Sequence, residues 1–165
     1  MSFLSTVDTI NERCARLSSF LVIAASLEVC TAVVLRYVFH QAAVWGLELA
    51  VYLCGVLYAM GGAYALYLDA HIRLDVLFKR WSASTRAIID SVITAPLFFA
   101  FVLAVLWGTG AWTWQGITSW QGSGTLWNPV IWPVRLLLPV GTFLLTLQGV
   151  AKFVRDIKVI RKQDK

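Results

Sequence analysis

Two charged side chains lie inside long apolar runs of this sequence: Glu28 within residues 17–35 and Arg135 within residues 130–151. By insertion-type scales an Asp, Lys or Arg at the centre of a membrane helix costs about 2.5 to 3.5 kcal/mol, so a carboxylate at depth needs a partner or a proton. Glu28 lies seven residues before Leu35 and Arg135 five after Val130. At about 1.5 Å per residue, both are roughly 8 to 10 Å below the same surface. Two chemistries follow. Glu28 is a proton-coupling or substrate carboxylate, as in small multidrug exporters, or it forms a structural ion pair, either between helices with Arg135 or with another subunit. The matched depth favours the pair. Arg36 and Glu48, which flank the first connection, form a second candidate pair at the outer rim.

Other chemistry-bearing residues are sparse. His40 and His71 are the two histidines, too few for the four axial ligands of a di-haem helical cytochrome. Cys14, Cys30 and Cys54 stand singly, with no CxxC spacing, in or beside apolar segments; they read as small core hydrophobes. There is no Gly-rich phosphate loop, no HExxH and no nucleophile elbow. These absences exclude the usual enzyme classes and leave no cofactor or metal site to assign. His71, Arg73 and Asp75 alternate along the second connection, and one histidine with one carboxylate gives too few metal ligands.

The elements that must position these residues are membrane helices. Of 165 residues, 59% are hydrophobic and 14% charged, well below the roughly 25% charged of soluble domains. Four segments of 19 to 22 residues, 17–35, 49–68, 91–112 and 130–151, carry only Glu28 and Arg135 as charges. A bilayer core of about 30 Å needs about 20 helical residues. None of the four shows the polar face that a soluble bundle requires. With flanking residues, the spans cover about 15–38, 45–68, 86–114 and 130–155. The fold class is all-α membrane protein, and the length suits one packed bundle, a single four-helix transmembrane domain over residues 1–165. Arg13 and Arg16 before an apolar stretch resemble a signal peptide, but the run is long and no small-residue cleavage pattern follows, which predicts a retained span.

Twelve of the fourteen Lys and Arg residues fall in the N-terminal tail, the second connection and the C-terminal tail; Arg36 and Arg135 are the other two. The positive-inside rule therefore puts both termini and the second connection in the cytoplasm. The net charge of +5 reports this topology, not a nucleic-acid surface. Within the second connection, Leu74, Val76, Leu77, Phe78 and Trp81 interleave with Arg73, Asp75, Lys79 and Arg80. This composition predicts a short amphipathic interfacial helix over about 72–81. From Ser91 to Val134 there is no charge, yet six of the eight tryptophans fall there: Trp107, Trp112, Trp114, Trp120, Trp127 and Trp132. They form an aromatic belt at the outer rim, a docking surface for a partner, or both.

Several of these features together resemble the small, DctQ-like membrane subunit of tripartite ATP-independent periplasmic (TRAP) transporters. The resemblance runs from Arg36-Tyr37-Val38-Phe39 through Trp45 and Glu48, Gly61-Gly62-Ala63 and His71-Ile72-Arg73-Leu74-Asp75, to Pro129, Trp132, Pro133, Pro139, Gly141 and Gln148. It spans about residues 15–155. Two departures stand out: Leu47 replaces the first of two acids that often follow the Trp, and Glu28 is outside the pattern. The resemblance implies a scaffold subunit of the bacterial inner membrane, in stable complex with a large permease and transiently near a periplasmic binding protein. It further implies sodium-coupled, elevator-type uptake of organic acids such as dicarboxylates or sialic acid, with the substrate and ion sites in the large subunit. Two other classes remain open: a self-contained proton-coupled exporter using Glu28, and a membrane adaptor outside transport.

Overall fold

The computed structural model describes residues 3–68 and 89–163. Four long α-helices carry nearly all of them: α1 over Phe3–Tyr37, α2 over Gly46–Tyr67, α3 over Ala95–Ser119 and α4 over Trp132–Gln163. A single π-helical turn, Asp90–Thr94, leads into α3, and Pro96, the second residue of α3, has no N–H to donate back into that turn. Each helix is long and apolar enough to cross a membrane. The hydroxyls embedded in them, such as Ser18, Ser26, Thr31, Thr142 and Thr146, donate to backbone carbonyls four residues earlier. That local bond satisfies a polar group with no partner helix.

The end helices exceed their predicted spans. At about 1.5 Å per residue the 35 residues of α1 reach about 52 Å and the 32 of α4 about 48 Å, against a hydrocarbon core of about 30 Å. Their extra turns, about the first three of α1 and the last two of α4, carry the polar residues that hydropathy assigns to tails. Residues 69–88, which hold the expected amphipathic helix together with His71, Arg73 and Asp75, lie outside the described residues.

The helices stand in a row. α1 packs along α2, α2 along α4, and α4 along α3, while α3 makes no substantial contact with α1 or α2. The order across the row is therefore α1, α2, α4, α3, with α1 also meeting α4 at the end that carries the termini. The α2–α4 contact is close because Gly141 lies against the Ala59 backbone, where an added methyl group would overlap the carbonyl. Small residues at such crossings let helix backbones approach in the absence of a hydrophobic driving force. Few side chains are buried within the chain; Ala63, Val102, Gln148 and Ala151 are among them.

At the end of the row opposite the termini, residues 120–131 form a compact loop. Trp120 ends α3 in the left-handed region at φ 47°. Gly122 and Val130 bridge as a two-residue antiparallel pair, with the Ser123 N–H donating to the Pro129 carbonyl at 3.0 Å. Asn128 caps the turn through its Oδ1, which accepts from the Gly124 N–H at 3.0 Å. The Asn128 side chain fills the space where any Cβ on Gly122 would stand.

Candidate functional site

The polar and charged side chains gather at the two ends of the row. At the loop end, Glu48 in the first turn of α2 accepts from the Tyr52 hydroxyl, one turn on, and from the Thr125 hydroxyl of the 120–131 loop at 2.6 Å. Thr125 is in turn linked to Ser123 at 2.8 Å. Glu48 thus fastens the loop to the start of α2. The expected rim pair with Arg36 is not made; the loop hydroxyls reach the carboxylate instead.

Arg135 is held by α3. Its guanidinium stacks over the Trp112 ring at 3.9 Å from the centroid and donates to the side-chain carbonyl oxygen of Gln121 at 3.2 Å. Gly116 makes room for it, since a Cβ there would lie 3.0 Å from Nη1. Cation–π contact and one hydrogen bond replace the expected partner. A trough of about 580 Å³ opens beside these groups, bordered by Val51, Tyr52 and Gly55 of α2, Trp112 of α3, and Arg135 and Leu138 of α4.

Glu28 is 7% exposed, and neither carboxylate oxygen has a hydrogen-bond partner. The Glu28–Arg135 ion pair is therefore not formed. Equal depth fixes height but not direction around the helix axis, and the row places α2 between α1 and α4 at this level. The Glu28 carboxylate instead lies against Gly46, whose Cβ would sit 3.2 Å from Oε1 and 3.0 Å from the Ala32 Cβ. Gly46 opens α2, so the carboxylate faces the partly positive end of that helix. A hollow of about 300 Å³ adjoins it, reaching up to Arg36 and Tyr37. Trp45, half-buried, precedes α2 without a side-chain capping bond. Trp132 is half-buried against Trp120, edge to face at 6.4 Å, and Trp127 is exposed.

At the end carrying the termini, a network joins α1 to α4. Gln148, fully buried, accepts from Asn11 at 2.6 Å and donates to Asp8 at 3.0 Å. Asp8 also pairs with Arg155, whose guanidinium lies 5.9 Å from the Tyr67 ring centroid. The sequence reading singled out Gln148 but not Asp8, Asn11 or Arg155. The signal was present: Asp8 and Asn11 are three apart, and Gln148 and Arg155 seven apart, so each couple shares one helix face.

Four membrane-length helices whose described charged groups lie near their ends or between them define a multi-pass membrane protein with no assembled reaction centre among the described residues. The family of DctQ components of tripartite ATP-independent periplasmic transporters matches residues 25–159. This protein belongs to that family: it is a small membrane subunit of a TRAP transporter, a component that works with a large permease and a binding protein, and not a member of an enzyme family. No individual curated protein matches the chain.

Proposed function

We propose that this chain is the static scaffold of a sodium-coupled TRAP importer for organic acids and holds no substrate site of its own. The observation that carries this reading is the open row. Among the described helices α3 packs substantially on α4 alone, and almost none of its span is buried within the chain. Leu103, Trp107 and Trp114 are exposed along one side of it, and Trp107 lies twelve residues before the helix end, about 18 Å deep. That is far below an interfacial aromatic belt, and a large aromatic ring there suits a protein partner. The large permease would cover one face of the row and lipid the other.

In this reading both termini are cytoplasmic, the 120–131 loop faces the periplasm of a bacterial inner-membrane complex, and the chain is one membrane domain. The binding protein docks transiently from the loop side. His71, Arg73 and Asp75 tie the second connection to the cytoplasmic interface or to the permease. The test is reconstitution in liposomes with the permease and the binding protein. Uptake of the organic acid should need all three and a sodium gradient, and this chain alone should move nothing. Transport by the chain alone, abolished by Glu28→Gln, would establish the exporter reading instead.

A further inference from the structure

The hollow beside Glu28 has the form of a socket. Its floor is Ala32, Ala43, Gly46 and Ala50, all small, and its rim is Val29, Val33, Tyr37 and Leu47, all exposed; Leu47 is 82% exposed. Glu28 lines it with both oxygens unpartnered although the residue is nine-tenths buried. A carboxylate left so in low dielectric is costly unless a positive group reaches it.

Neither arginine at this end of the chain serves. Arg135 is committed to Trp112 and Gln121 on the far side of α2. Arg36 lines the mouth of the same hollow but stands eight residues along α1, about 12 Å of helix rise. Its side chain is exposed at the rim, where water screens it.

We propose that this socket receives a lysine or arginine side chain from a membrane helix of the large permease subunit, with Glu28 as its counter-ion. Charge complementarity requires a cation, and depth selects its source. Glu28 lies nine residues before the end of α1, about 13 Å along the helix from that end. An amine headgroup stays at the membrane surface, whereas a long side chain on a packed helix reaches this level. The small floor and bulky rim suit one inserted side chain. This inference rests on the permease partnership proposed above.

The experiment uses this chain co-expressed with its permease. Benzoylphenylalanine at Val33, on the rim, should cross-link to a permease segment that carries a Lys or Arg within one helical turn. Glu28→Gln should reduce the recovered complex by at least about tenfold, since removing one member of a buried charge pair leaves the other unpaired. Neutralising the identified basic residue should cause the same loss, and the double variant should lose no more than either single one. Glu28→Gln purified alone should match the wild-type chain in helicity and melt no lower, since the unpartnered carboxylate is a cost in the isolated chain. Wild-type recovery of the Glu28→Gln complex, equal damage to the chain alone, or cross-links to lipid, to a second copy or to a segment lacking Lys and Arg would overturn the socket assignment. In each of those cases the wild-type complex still forms. Failure of the wild-type chain to copurify with the permease would instead remove the scaffold reading itself.

Discussion

The Thr113 hydroxyl lies 3.0 Å from the carbonyl oxygen of Arg135, the carbonyl that Pro139 leaves without a helical donor. Proline has no N–H, so residue 139 cannot bond back to residue 135, and the freed oxygen sits inside a membrane helix. Thr113 is 3% exposed and lies 2.7 Å from its own Thr109 carbonyl, so its hydroxyl sits between the two acceptors. Neighbouring Ser and Thr side chains are a usual remedy for a proline break at membrane depth.

Thr113→Val should therefore destabilise the chain by about 1 kcal/mol, in the range measured for interhelical hydrogen bonds in membranes. Thr113→Ser should be nearly neutral. In a Pro139→Ala background the helix supplies its own donor, and the cost of Thr113→Val should shrink. Reversible unfolding in mixed micelles measures each of these chains. An unchanged cost in the Pro139→Ala background would show that the hydroxyl serves Thr109 alone.

Gly141→Ala should cost about 1 to 3 kcal/mol, the scale of overpacking, because the new methyl group meets the Ala59 carbonyl. Gly55→Ala and Gly61→Ala, on the facing helix, have nothing within 4 Å of the added carbon and should cost nothing. Melting temperatures of the three isolated variants make the comparison. A loss at Gly55 or Gly61 equal to that at Gly141 would mean that glycine flexibility, not helix approach, is at work.

Gln148→Leu should cost about 1 to 3 kcal/mol, since it strips Asn11 of its bond and removes one from Asp8. Replacing Asn11 and Gln148 together by Leu should recover part of that loss, because no buried Asn is then left unsatisfied. A double-mutant cycle on thermal stability reads the coupling, and strict additivity would refute it.

Reporter fusions at residues 42 and 122 should be active as periplasmic reporters, and those at residue 80 and the C-terminus as cytoplasmic ones. The expectation rests on the distribution of Lys and Arg. Periplasmic activity at residue 80 would invert the topology.

The helices were legible in the sequence because length and hydropathy are local properties. Direction around an axis was not. Arg135 turns to Trp112, Thr113 and Gly116 of α3, and no single-chain pattern distinguishes that from a turn towards α1. Helix order was equally hidden, since four uniformly apolar segments mark no preferred neighbour. Glu48 shows a third gap. Its partner Thr125 is 77 residues away in a loop, and a threonine there carries no signal that a carboxylate awaits it. The ends of α1 and α4 were shortened because hydropathy stops at the last apolar turn, while Asp8, Asn11, Gln148 and Arg155 extend the helices through one another.

The order across the row also dictates when the protein can come together. The first two helices can pair as soon as both are made, but α3 has no docking place on either and must wait in the bilayer as an unattached element. The helix that joins it to the others follows all three in the chain. α4 acts as a keystone: it enters between two helices already present, bringing Gly141 to α2 and Arg135 to α3. Without that helix the chain is two fragments sharing a backbone, so the described tertiary structure is complete only once α4 is seated.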